Sequence, residues 1–153
     1  GFKNAQLKDG LAILKFLFWF EKNVNSNNLT EICLAQKLFD IRSLDKTFIC
    51  ESFATISAFE ENGAIIHYKA NISSNKKIDK SSLYLIDTGA HYLDGTTDTT
   101  RTLLVGEAKP KMRSRRLGKR QRVNDLARML STYQYVHRKR NAPYNTRVTS
   151  LGI

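Results

Sequence analysis

The chain has 153 residues, 41% of them apolar and 10% aromatic, with a formal net charge of +11. That length suits one domain and that apolar content fills a core, so composition excludes a disordered chain. Its most apolar stretch, residues 11–20, is broken by Lys15 and is shorter than the ~20 residues a bilayer crossing needs; with no signal-peptide pattern either, the chain is expected in the cytoplasm, with no membrane partner.

The first residues are Gly-Phe-Lys in place of a Met, and a helical pattern begins at once, so a piece of a longer or trimmed protein is expected. Over residues 5–22, Leu7, Leu11, Leu14 and Phe18 recur at steps of three and four, while Lys8, Lys15 and Lys22 lie seven apart on another face. This spacing predicts an amphipathic helix, its apolar stripe widened by Ile13, Leu17 and Phe20. A polar break over 23–28 follows. Asn28 stands three residues before Glu31, the spacing of a capping box, so a second helix is predicted over about 29–44. Its core face would be Ile32, Ala35, Leu38 and Phe39, with Glu31, Gln36, Lys37 and Asp40 in water. Cys33 and Cys50 have no metal-ligand spacing and are expected as reduced thiols.

Beyond Phe53 the period changes to that of strands. Short β-branched or aromatic runs at 54–58, 64–68, 82–87 and 97–105 are separated by Asn62-Gly63, by the polar stretch 73–79 and by Asp94-Gly95. Two helices followed by antiparallel strands make an α+β arrangement. Asp87 and Asp98 each fall in or at the end of a strand-like run with a turn between them, and a hairpin would bring both carboxylates to one face. Paired carboxylates repel unless a cation neutralises them, and their hard oxygens suit Mn²⁺, Mg²⁺ or Zn²⁺. Strand-end aspartates also serve simply to bond turn amides, and spacing alone leaves both readings open.

The charge is unevenly spread. Residues 1–106 hold 12 Lys and Arg against 12 Asp and Glu, whereas residues 107–153 hold 13 against 2, the whole of the net charge. Two compositions therefore meet near Gly106, and the basic segment, without a clear apolar face, is expected to be largely unpacked. It would bind nucleic acid only non-specifically, through counterion release. An out-of-frame origin would account for its composition; a non-catalytic scaffold with a basic nucleic-acid-binding tail is the rival reading.

Four ordered motifs carry a resemblance. They are Ser52-Phe53-Ala54-Thr55-Ile56-Ser57, Asn62-Gly63-Ala64-Ile65-Ile66-His67-Tyr68, Tyr84-Leu85-Ile86-Asp87-Thr88-Gly89-Ala90, and Tyr92-Leu93-Asp94-Gly95-Thr96-Thr97-Asp98-Thr99-Thr100-Arg101-Thr102. Together with Ala5-Gln6-Leu7-Lys8-Asp9-Gly10 and Leu29-Thr30-Glu31 they resemble the Xaa-Pro aminopeptidases (aminopeptidase P) over about residues 1–107. The resemblance implies the first half of a pita-bread metallopeptidase domain, in which two pseudo-symmetric α+β halves clasp two divalent metals, commonly Mn²⁺, and cut peptides with proline second. It implies Asp87 as a ligand of one metal, Asp98 as a bridge between two, and His67 as the histidine that contacts substrate and aids proton transfer. Without the motif, His67 would read as a half-buried strand histidine bonded to a carbonyl.

Such a bridge lets two metals share one hydroxide nucleophile near neutral pH. His91, His137 and Arg101 are left out of the site. The family's second half supplies a ligating histidine and two ligating glutamates, and residues 107–153 match none of those motifs. The chain alone is accordingly expected to be inactive, to bind metal poorly, and to leave an apolar face open to a homodimer or to a complementing second-half chain.

Overall fold

The computed structural model describes residues 1–25, 28–79 and 81–107. The basic segment from residue 108 onward, expected to be largely unpacked, and His137 within it lie outside the described residues.

Two helices come first, α1 (Phe2–Asn23) and α2 (Glu31–Ser43). The face that α1 buries is rotated from the expected leucine stripe. Ala5, Asp9, Ala12, Ile13, Phe16 and Phe20 are buried together with Leu14, whereas Leu7 and Phe18 are exposed. Aromatic packing drives this rotation: Phe20 stacks on Phe16 (6.1 Å between ring centroids) and on Tyr84 (5.4 Å). Such contacts outweigh what an aliphatic side chain gains at the same positions. The displaced Phe18 ring is covered by the Lys22 ammonium, 4.3 Å from its centroid.

The start of α2 also differs from expectation. Thr30 caps the helix, its hydroxyl accepting from the Cys33 amide at 3.2 Å. Glu31, expected in water as half of a capping box, is fully buried and bonded to groups distant in sequence. Of the expected core face only Leu38 is fully buried; Ile32 and Phe39 are exposed, and the buried stripe is Glu31, Leu34, Leu38 and Arg42. This stripe keeps helical spacing, with a charge at each end.

The strands are β1 (Phe48–Glu51), β2 (Ile56–Phe59), β3 (Ser82–Thr88), β4 (Ala90–Tyr92), β5 (Gly95–Thr96) and β6 (Thr99–Val105). They form two antiparallel sheets, ordered β2-β3-β6 and β1-β4-β5. The run at 64–68 is not a strand. A 3₁₀ turn covers Glu60–Ala64, and the Ile65 and Tyr68 amides bond back to Asn62 and Ile65. Glu31 explains the difference: it holds both Asn62 and Tyr68, and the β-branched residues between them, with no partner strand, point outward.

The main core gathers Ile13, Phe16 and Phe20 of α1, Leu34 and Leu38 of α2, and Phe59, Tyr84, Ile86 and Val105 of the larger sheet, with Leu29 and Ile78. A smaller cluster joins Ala5, Ala90 and Tyr92, with Phe48 packed against it. Small side chains are required there: a Cβ on Gly95 would come within 3.2 Å of Ala5 Cβ. The β4–β5 hairpin thus lies close against the start of α1. The two cysteines are free and exposed.

Candidate metal centre

Strand β3 alternates strictly. Ser82, Tyr84, Ile86 and Thr88 are buried toward the helices, so Leu83, Leu85 and Asp87 take the opposite face. Across from them on β6, the register pairs Leu83 with Leu104, Leu85 with Thr102 and Asp87 with Thr100. Thr100 donates its hydroxyl to Asp87 Oδ1 at 2.7 Å. Pairing ends at Thr88 and Thr99, and Asp98 is the next residue out. Continuing the strand alternation assigns Asp98 to the face of Thr100, and hence to that of Asp87. Asp87 is half-buried and Asp98 is exposed.

His67 lies elsewhere in the fold, in the turn after the 3₁₀ segment, and is exposed. Its backbone is left-handed, with φ 54°. Few residues other than glycine adopt that conformation, and those that do are held there by their surroundings. The holding group is Glu31. Its carboxylate accepts from the amides of Phe59 (2.6 Å) and Lys76 (3.0 Å), from Asn62 Nδ2 (3.0 Å) and from the Tyr68 hydroxyl (2.7 Å), closing the segment on both sides of His67. Gly63 of this segment approaches Leu85, where an added Cβ would lie 3.7 Å from Leu85 Cβ. The 3₁₀ segment before His67 therefore touches β3 at Leu85, on the strand face that Asp87 shares.

Behind the aspartates lies a second buried polar group. Asp9 of α1 and Arg42 of α2 form an ion pair with exposures of 1% and 0%. Arg42 Nε and Nη2 donate to Asp9 Oδ1 and Oδ2 at 2.8 and 3.2 Å. The remaining Nη1 reaches Thr88 Oγ1 at 2.6 Å and the Gly89 carbonyl at 3.2 Å. Asp9 in turn accepts from the Thr97 hydroxyl (2.8 Å) and the Tyr92 hydroxyl (3.2 Å). Burial, reinforced by the charge of Asp9 and opposed by Arg42, raises the Tyr92 pKa far above its usual value, so that hydroxyl remains a donor.

The backbone here is packed tightly. The Ser52 amide donates to the Gly89 carbonyl (3.1 Å) and the Ser52 hydroxyl to the Thr97 carbonyl (3.0 Å). A Cβ on Gly89 would come within 2.2 Å of both the Ser52 Oγ and the Thr97 carbonyl oxygen, so only glycine fits. The motif residues between and beside the two aspartates thus have identifiable structural work.

Metallopeptidase family M24 matches residues 1–128 of the chain. The chain belongs to that family. Among its similar relatives are Aminopeptidase P2 of Arabidopsis thaliana, 46% identical over 108 residues, and Xaa-Pro aminopeptidase ApepP of Drosophila melanogaster, 44% identical over 108 residues. Each alignment covers 70% of this chain, but only 15% and 18% of the respective relative. Among solved structures, the X-prolyl aminopeptidase of Caenorhabditis elegans, described as a cytosolic enzyme with a di-nuclear active site, superposes with a TM-score of 0.65 at 40% identity. That superposition covers 71% of this chain and 18% of the worm enzyme. The fold of this M24 chain, two helices followed by antiparallel sheets, is that of the N-terminal part of the pita-bread fold.

As donors, Asp87 and Asp98 have the hard oxygens a divalent metal of an M24 peptidase calls for, but they are few. Among the described residues no three His, Cys, Asp or Glu side chains gather into a group able to hold a metal ion. A closed site usually takes four or more ligands. The described residues thus fit part of such a centre and do not complete one, and no catalytic step through a metal follows from them. His91 pairs its Nδ1 with Thr96 Oγ1 at 2.7 Å, and Arg101 donates to the Thr100 carbonyl at 2.7 Å; neither contact involves Asp87 or Asp98. No described helix is long and apolar enough to cross a membrane.

Sequence reasoning missed Asp9, Arg42 and the buried role of Glu31. A signal was present: Asp9 is in helical phase with Ala5, Ala12, Ile13 and Phe16, and Arg42 with Leu34 and Leu38. A charge in register with the apolar stripe of a helix must be paired or bonded when that stripe is buried.

Proposed function

We propose that this chain is part of the catalytic domain of an Xaa-Pro aminopeptidase, a cytoplasmic enzyme that removes the residue preceding a proline from the N-terminus of a peptide. In this reading residues 1–106 correspond to the first half of the domain, Asp87 binds one metal, Asp98 bridges two, and His67 meets the substrate. The metals are Mn²⁺, and when bound they supply an activated water. The observation that carries the reading is Asp87 near the end of the β3–β6 ladder with Asp98 one residue beyond its last pair, in a chain 46% identical over 108 residues to an aminopeptidase P.

The chain alone is inactive in this account, because two carboxylates neither share nor orient a metal-bound water. Activity requires the remaining ligands from a complementing chain. Exposed Ile65, Ile66, Ile72 and Leu83 are apolar side chains that an assembled enzyme would cover.

The test is hydrolysis of an Xaa-Pro peptide by the purified chain with added Mn²⁺, run beside Asp98→Ala. No turnover by either protein is expected. Turnover that disappears in Asp98→Ala would contradict the chain's inactivity and place the missing ligands in residues 108–153 or in a dimer partner.

A further inference from the structure

The Asp9–Arg42 pair has a geometry that stability alone does not call for. Burying two charges between helices carries a large desolvation cost, and a well-packed apolar pair of similar volume often does as well or better. The pair is not spent on joining α1 to α2 only. Arg42 uses its third nitrogen on Thr88 and Gly89, and Asp9 uses its second oxygen on Thr97 as well as on Arg42. Thr88 directly follows Asp87 and Thr97 directly precedes Asp98.

We propose that Asp9 and Arg42 are positioning residues, whose buried ion pair clamps Thr88 to Thr97 and thereby fixes Asp87 and Asp98 relative to each other. The significance of that placement rests on the reading of the two aspartates as metal ligands; the clamp itself does not.

Three features make the clamp directional. Side-on bonding of a planar guanidinium to a carboxylate fixes both groups in orientation as well as distance. The two ends of the pair grip opposite sides of the β4–β5 hairpin, Thr88 and Gly89 before it and Thr97 after it. Ser52 ties the same two places a second time through backbone oxygens, and Gly89 leaves no slack between them. Asp98 itself lies outside the strand pairing and is exposed; Thr99, paired with Thr88, holds it on one side and Thr97 on the other.

The experiment is ¹⁵N relaxation on the metal-free full chain, reading the backbone order parameter of the Asp98 amide. Thr97→Val cuts the link to Asp9, and with it the bond from the Ala90 amide to the same hydroxyl, while sparing the ion pair; Asp9→Asn, read at the same amide, weakens the Asp9 end with the Ala90 bond intact and should also lower the order at Asp98. The wild type is expected near the rigid value of about 0.85 and Thr97→Val below about 0.6, with Thr97→Ser restoring the wild-type value. Tyr84→Phe serves as a control, since it removes another buried hydroxyl, bonded to Ser57 at 2.8 Å, and should leave Asp98 unchanged.

Equal order at Asp98 in wild type and Thr97→Val, or loss of order in Tyr84→Phe as well, would overturn the clamp. Should Thr97→Val not fold, Thr88→Val cuts the Arg42 end instead and is read at Asp87 in the same way. Added Mn²⁺ separates the two ideas. If the aspartates are ligands, Mn²⁺ broadens the Asp87 and Asp98 signals, Asp98→Asn removes the effect, and Thr97→Val weakens it by about tenfold. Absence of broadening in the wild type would show that the two carboxylates hold no Mn²⁺ without the remaining ligands, with the order parameters still deciding the clamp.

Discussion

Two buried charged groups, one at each of two places that carry candidate site residues, support those places by different means. At the aspartates, Asp9 and Arg42 neutralise each other and use their spare bonds on Thr88, Gly89 and Thr97. At the histidine, Glu31 has no cation among its bonding partners in the described residues and is satisfied by two backbone amides, an amide side chain and a phenol. The first arrangement holds strand ends with fixed alternation. The second holds a turn in which His67 has a left-handed backbone and stays exposed. A pair of charges is less forgiving than one charge amid neutral donors, because deleting either partner strands the other in a dry interior.

That difference can be broken open by changing each carboxylate to its amide. Asp9→Asn leaves the Arg42 charge buried with a neutral partner and is expected to cost about 3–5 kcal/mol in denaturant unfolding, a large share of an ordinary domain's stability. Replacing both partners, Asp9→Leu with Arg42→Met, should cost less than Asp9→Asn alone; a double replacement that costs more would deny that the charges are coupled. Gly89→Ala sharpens the same side without touching charge. Its Cβ meets a backbone oxygen that cannot turn away, and a loss of roughly 1–3 kcal/mol is expected.

On the other side, Glu31→Gln keeps one acceptor oxygen and turns an NH₂ toward existing donors, so thermal unfolding should report a loss of about 2 kcal/mol, smaller than that of Asp9→Asn. An equal or larger loss would erase the distinction between the two regions. Smallest of all is Ile66→Ser. This side chain is 86% exposed, and its replacement should change the stability of the isolated chain by no more than about 0.5 kcal/mol.

Much of the fold could be read from periodicity. Both helices, and the strands β2, β3 and β6, fall within a few residues of where spacing puts them. The failures share a cause. The capping box at Asn28 and the polar face assigned to Glu31 assumed that Glu31 acts locally, and the strand read from the β-branched run at 64–68 took no account of it, whereas its partners lie 28 to 45 residues away. No local pattern reports such a contact. The small sheet was missed because β4 and β5 are only three and two residues long, and their packing depends on Ala5 and Gly95 allowing close approach to α1. Asp87 and Asp98 stood out through their motifs. Asp9 and Arg42 did not, because in a helix a charge is taken for part of the solvent face unless its phase is compared with the apolar stripe.

The central claim, that this chain contributes the two aspartate ligands of an Xaa-Pro aminopeptidase, is tested most directly by transplantation. Residues 1–107 would replace the matching segment of the Drosophila relative, and the chimera would be assayed on an Xaa-Pro peptide with Mn²⁺. The account predicts hydrolysis by the chimera and its loss, by at least about a hundredfold, in Asp87→Ala or Asp98→Ala placed in the transplanted segment. A folded chimera that cannot cut the peptide, or one whose activity survives both substitutions, would contradict it.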